Sequence, residues 1–85
     1  PSLASANIRV NAIAPGPIET AMVRAMHTPE ARQNWLRRVP QRRYGEPREI
    51  ARAASFLLDD AQSSYVTGHV LAVDGGFLAG GLLPE

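Results

Sequence analysis

Eighty-five residues confine the chain to one small domain at most. A net charge of +1 and the absence of cysteine exclude a field that would draw nucleic acid or anionic lipid, and with it disulfides and thiolate chemistry. All nine basic residues are arginines, so these residues carry no lysine-dependent step, and the two histidines, His27 and His69, lie too far apart for a zinc cluster. No apolar run reaches the roughly 18 residues of a membrane span, and no signal peptide is visible. A cytoplasmic chain is expected, and its start at Pro1 reads as a piece of something longer.

Residues 1–7 are small and polar, like the frayed end of a helix whose body lies upstream. Ile8–Ala14 is a short apolar run closed abruptly by Pro15-Gly16-Pro17, the pattern of a buried strand that stops at a turn. In open α/β sheets ligands bind just beyond the carboxyl ends of strands, so the turn at 15–18 is the first place to look for a bound molecule. Asn11 sits in the middle of that strand and must be hydrogen-bonded if the strand is central, because an unpaired buried amide costs on the order of a few kcal/mol. A structural pin between neighbouring segments is the expected role, ahead of a catalytic one.

Glu19–Met26 reads as one or two helical turns with Met22, Val23 and Met26 on one side. Thr28-Pro29-Glu30 has the signature of a helix start: a hydroxyl N-cap, proline at the first position and an acid in the first turn. Ala31, Trp35 and Val39 follow at i, i+4 and i+8 before Pro40 ends the element. Two short amphipathic helices between loops make a flap over residues 21–45.

Tyr44-Gly45-Glu46-Pro47 opens the strongest helix of the chain, residues 47–58. Setting Ile50 at 0° and stepping about 100° per residue, the apolar side chains run from Phe56 near about 240° round to Ala51 near about 100°. Arg48, Arg52, Ser55 and Asp59 occupy the narrow band that remains. A surface helix on a sheet needs a narrower stripe, so a second packing partner such as another subunit is expected. Asp59 and Asp60 oppose the macrodipole at the helix end, and nothing in the sequence compensates them.

Ser63–Gly68 is a loop, with Gly68 suited to a positive φ. His69–Val73 is a second strand, and Asp74-Gly75-Gly76 turns the chain sharply out of it. The tail, 77–85, is apolar and glycine-rich without a period. The order strand, flap, helix, strand implies a right-handed βαβ unit. A parallel pair buried on both faces needs more strands beside it, and these residues do not supply them.

Three segments carry a family resemblance. Ile8-Arg9-Val10-Asn11-Ala12-Ile13-Ala14-Pro15-Gly16-Pro17-Ile18-Glu19-Thr20 resembles the sixth strand and following turn of the classical short-chain dehydrogenase/reductases. Arg42-Arg43-Tyr44-Gly45-Glu46-Pro47-Arg48-Glu49-Ile50-Ala51 resembles the start of their penultimate helix. Tyr65-Val66-Thr67-Gly68-His69-Val70-Leu71-Ala72-Val73-Asp74-Gly75-Gly76 is similar to their seventh strand and closing turn. The segments follow in family order and spacing over nearly the whole chain. The resemblance implies the C-terminal βαβ portion of a Rossmann-like, doubly wound parallel α/β sheet, incomplete as given. Residues 1–85 would then be part of one NAD(P)-binding domain: 8–20 the strand and nicotinamide-side turn, 21–45 the substrate flap, 47–58 a helix, 69–76 the last strand and turn, and 77–85 the tail.

The resemblance further implies NAD or NADP as cofactor and hydride transfer between nicotinamide and a small-molecule carbonyl or alcohol substrate. By family analogy Pro15 and Gly16 lie against the nicotinamide, the backbone of Ile18 pairs with its carboxamide, and the Thr20 hydroxyl bonds the carboxamide or the pyrophosphate. A mere strand-ending turn is the alternative. Met22, Met26 and Trp35 are candidate pocket walls, with ordinary packing as the alternative for each. Helix 47–58, the last strand and the tail are the family's assembly surface, implying a homodimer or homotetramer.

No catalytic residue is expected within the chain. The family's glycine-rich phosphate turn, its catalytic serine and its Tyr-x-x-x-Lys pair all belong upstream. Tyr65 and His69 have the right spacing but lie in a loop entering a strand, where i and i+4 do not share a face. Tyr44 and Arg48 are separated by the helix start at Pro47. Arg37-Arg38 and Arg42-Arg43 read as solvated surface rather than a nucleic-acid site, and His27 and His69 as ordinary loop and strand-edge residues. The intact parent is expected to be an enzyme. The competing reading is a truncated, non-catalytic fragment acting only in subunit assembly.

Overall fold

The structure, a computed structural model, describes residues 3–80. After a 3-10 turn at Leu3–Ala6, the elements are β1 (Ala12–Pro15), α1 (Ala21–Met26), α2 (Pro29–Arg38), α3 (Pro47–Leu58), α4 (Asp60–Ser63) and β2 (Val70–Val73). The strands pair in parallel, from Ala12 with Val70 to Pro15 with Val73. α3 packs against both. The result is an α/β unit with a two-stranded sheet, an incomplete Rossmann fold.

β1 is shorter than the expected run from Ile8, and the reason lies across the sheet. Gly68, at φ +72°, turns the partner segment so that its ladder begins only at Val70. Asn11 takes over where the ladder stops: its Nδ2 donates to Val66 O at 3.1 Å and its Oδ1 accepts from His69 N at 3.0 Å. The expected pin is there, with a side chain standing in for backbone pairing. Arg9 adds a second tie, donating to Asp60 Oδ1 at 2.6 Å and to Val66 O at 3.2 Å.

α3 spans the expected residues because its start is doubly fixed. Pro47 occupies the first helical position, and Glu46 and Glu49 form a capping box. At its other end the two acids prove to belong to the next element. Asp59 is the N-cap of α4, its Oδ1 accepting from Ala61 N at 2.9 Å, and Asp60 pairs with Arg9. Buried Ser63 turns its hydroxyl back among the carbonyl oxygens of Phe56, Leu57 and Asp59, at 2.7, 3.1 and 3.1 Å, adding one donor to the helix end. Both acids at the end of α3 are thus engaged, Asp59 by the Ala61 N–H of a four-residue helix that periodicity does not reveal and Asp60 by Arg9.

Burial is sparse. Val39, Tyr44, Leu57 and Ser63 are the buried residues among those described, while Ile8, Val10, Leu58 and Val70 stay exposed. The radius of gyration is 15.7 Å, against about 12 Å for a compact domain of this length. Both strands have an open edge, which is where neighbouring strands would pair. Of the expected tail, residues 77–80 continue from β2 in tight turns. Residues 81–85 lie outside the described residues, as do residues 1 and 2 of the expected upstream helix end. Among the described residues no helix is long and apolar enough to cross a membrane.

Candidate functional site

β1 and β2 end level with each other, so the turns that follow them lie side by side. Gly16 N donates to Val73 O at 3.1 Å, and a Cβ on Gly16 would stand 2.8 Å from Asp74 Cα and 2.9 Å from its Cβ. The missing side chain of Gly16 is what lets the neighbouring turn approach this closely. Asp74 closes that turn on itself, Oδ1 accepting from Gly76 N at 2.9 Å and Oδ2 from Leu78 N at 3.0 Å.

Beyond Gly16, residue 18 makes an isolated parallel bridge to Gly45. Gly45 N donates to Pro17 O at 2.9 Å, and Glu19 N donates to Gly45 O at 2.8 Å. In a parallel bridge the flanking residues make the bonds, and the central residue turns its own N–H and C=O the other way. Among the described residues no hydrogen bond uses either group of Ile18. A donor and an acceptor are therefore presented together on a chain held rigid from behind. Thr20 follows as the N-cap of α1, its Oγ1 accepting from Val23 N at 3.1 Å. That bond uses an oxygen lone pair and leaves the hydroxyl hydrogen to another acceptor.

A recess of about 370 Å³ gathers these residues. Pro15, Gly16, Pro17, Ile18 and Thr20 form one wall, with Val23, His27, Trp35 and Phe77 around them. The Trp35 and Phe77 rings meet at 5.7 Å and 60°, joining α2 to the chain after β2. Four expected cofactor residues and Trp35 are thus brought together. Met22 and Met26 are not: they are 70% and 71% exposed and lie outside the recess. At about 100° per residue Met22 and Met26 lie about 40° apart on α1, and Val23, about 100° round from Met22, is the side chain that faces the recess. A second recess of about 300 Å³ is lined by Arg43, Glu49 and Asp74–Gly76, and of the expected site residues it contains only Ile18.

The flap is tied down by charge and by rings. Glu19 accepts from both guanidinium nitrogens of Arg32, at 2.5 and 2.9 Å. That pairing holds the Glu19 carboxyl below its ordinary value. The Arg32 guanidinium lies over the Tyr44 ring, 4.7 Å from its centre. The Tyr44 hydroxyl and His27 Nδ1 are hydrogen-bonded at 2.7 Å. None of these partners is adjacent in sequence, and no spacing rule connects them. Sequence reasoning missed Phe77 as well, since a lone aromatic after a glycine turn carries no periodic signal. The only hint of Tyr44 was its place immediately before a helix start.

Next to this cluster, Arg43 donates to both oxygens of Glu49, at 2.8 and 3.0 Å, while Glu46 N donates to Oε1 at 2.9 Å. These bonds, Arg43 foremost, bring the Glu49 carboxyl down from 4.5 to about 2. The folded value is the lower one, so the stability that ionised Glu49 contributes is complete above pH 4.5 and is lost as pH falls through about 2. Thermal unfolding over a pH series should show wild type above Glu49→Gln by a constant margin at neutral pH. That margin should narrow between pH 4.5 and about 2.

Residues 1–78 match the family described as enoyl-(acyl carrier protein) reductase. The 3-oxoacyl-[acyl-carrier-protein] reductase FabG of Chlamydia trachomatis is 54% identical over 72 residues, covering 85% of this chain and 28% of that protein. A short-chain type dehydrogenase/reductase from Mycobacterium ulcerans superposes with a TM-score of 0.84 at 41% identity, over 91% of this chain and 28% of that one. A 7alpha-hydroxysteroid dehydrogenase, solved with NADH and 7-oxo glycochenodeoxycholic acid, gives 0.79 at 49% identity, over 87% of this chain and 29% of its own. The chain thus spans less than a third of the length of these relatives. With the family matched over residues 1–78 and a relative 54% identical over 85% of the chain, the chain belongs to the short-chain dehydrogenase/reductases.

Proposed function

We propose that these residues supply the nicotinamide side, the substrate flap and the assembly surface of an NAD(P)-dependent oxidoreductase acting on a carbonyl or alcohol. The observation that carries this reading is the turn at Pro15–Ile18. Its main chain is braced from behind by Gly45 and offers an unengaged N–H and C=O at Ile18 beside a walled recess. A primary carboxamide has one acceptor and two donors in a plane, so a peptide N–H and C=O from one residue can bind it at two points. Nicotinamide carries such a group, and when bound it supplies the carbon that gives or takes hydride.

The chain's own residues hold and orient. Ile18 fixes the plane of the amide through its main chain, so the identity of its side chain matters little to that bond. Thr20 gives its hydroxyl hydrogen to an acceptor without losing the helix cap. Trp35 and Phe77 cover the apolar side of the recess and exclude water from it. Proton transfer and the remaining cofactor contacts belong to residues outside this segment. Assembly as a homodimer or homotetramer through α3, β2 and the tail is part of the same proposal. It is supported by Leu58 at 82% exposed and by the exposed Phe56 and Val70 on those elements. A cytoplasmic location goes with it.

The test is a titration of the whole protein with NADH and NADPH, reading quenching of Trp35 emission, the single tryptophan of this segment. Saturable quenching by at least one cofactor is expected, together with cofactor-dependent reduction of a carbonyl panel. Trp35→Phe should abolish most of the quenching while cofactor still binds. A protein that neither binds a reduced nicotinamide cofactor nor turns over would sink the proposal.

A further inference from the structure

His27 is the joint of the flap. It ends α1, its N–H donating to Val23 O at 2.8 Å, and Thr28 beside it caps α2 by accepting from Ala31 N at 3.1 Å. Helices of six and ten residues do not hold themselves in place, so the flap's position depends on what it is tied to. Tyr44 is the post. It is 8% exposed and stands directly before Gly45, which is bridged to Ile18. The two flap helices hold it at two points: His27 holds the hydroxyl at 2.7 Å, and Arg32 covers the ring at 4.7 Å while gripping Glu19. His27 also forms part of the recess wall beside Thr20 and Trp35.

We infer that the His27–Tyr44 hydrogen bond is a latch that positions the α1–α2 joint over the recess and thereby sets how tightly substrate is held. The inference rests on the oxidoreductase reading for its substrate effect, though not for its structural one. His27 and Tyr44 are positioning residues: neither is required to touch the reacting atoms. Tyr44→Phe removes the hydroxyl and keeps the ring under Arg32, so it opens the latch without dismantling the cluster.

In the whole protein, Tyr44→Phe should raise KM for the carbonyl substrate by about 3- to 10-fold, the value of one neutral hydrogen bond, with kcat within about twofold. His27→Phe should do the same. Since both changes break one bond, the double variant should be no worse than either single one. His27→Asn, whose Oδ1 can stand where Nδ1 stood, should restore much of the loss. Independently of activity, trypsin should cut at Arg24 and Arg32 several-fold faster in Tyr44→Phe than in wild type. Multiplying effects in the double variant, or an unchanged KM and an unchanged cleavage rate, would overturn the latch. Faster cleavage in a protein with no nicotinamide-dependent turnover would leave the latch standing and remove the oxidoreductase reading instead.

Discussion

Replacing Gly16 by alanine is expected to lower the unfolding free energy of the whole protein by about 1–3 kcal/mol, the usual cost of forcing a methyl group into filled space. The new Cβ would meet Asp74 at three atoms, Cα at 2.8 Å, Cβ at 2.9 Å and O at 3.1 Å. Two of these are main-chain atoms, and Asp74 cannot swing aside because its carboxylate is bonded to Gly76 N and Leu78 N. Relief requires the ends of β1 and β2 to part, which strains the bond from Gly16 N to Val73 O and shifts Ile18. On the function proposed above, the shift of Ile18 should lower cofactor affinity as well. Urea unfolding combined with cofactor titration separates the two effects. Wild-type behaviour in both would mean that the turns are not in the contact described.

Gly75→Ala should be comparably damaging for a different reason. Gly75 has φ +64°, where a side chain is strained, and its Cβ would stand 2.7 Å from Val39 Cγ1. Val39 is 1% exposed and ends α2, and Gln41 N donates to Gly75 O at 3.1 Å. This is the seat on which the second flap helix rests. Backbone strain of about 1–3 kcal/mol and the clash should add, giving a loss above that of an ordinary surface change. The two components can be told apart. Val39→Ala in the Gly75→Ala background relieves the clash and leaves the strain, so the second change should cost less there than it does alone. Circular dichroism melts of the four proteins decide it; simple addition would show that the close approach to Val39 contributes nothing.

These two glycines also mark how far the sequence could be read. That Gly16 and Gly75 occur at turns was visible, since proline and aspartate punctuate both. What each glycine excludes was not, because Asp74 and Val39 reach them only through the fold. The same division runs through the candidate site. Pro15, Gly16, Ile18 and Thr20 form one local stretch, and a strand-ending turn places them together whatever surrounds it. The flap ties are the opposite case: Glu19 with Arg32 and His27 with Tyr44 are separated by 13 and 17 positions. No periodicity links such pairs, so His27 read as an ordinary loop residue.

What the sequence determined by itself was local and repetitive. Helix 47–58 followed from its apolar period and its proline start, the α2 start from Thr28-Pro29-Glu30, a positive φ from Gly68, and a sharp turn from Asp74-Gly75-Gly76. Each rests on the backbone conformations open to a few neighbouring residues. The tertiary structure alone decided the length of β1, the pairing of Asp60 with Arg9, the outward direction of Met22 and Met26, and the recess that joins Trp35 to Phe77. Those features depend on which distant groups meet, and meeting is settled by the packing of the whole sheet rather than by the preferences of any single segment.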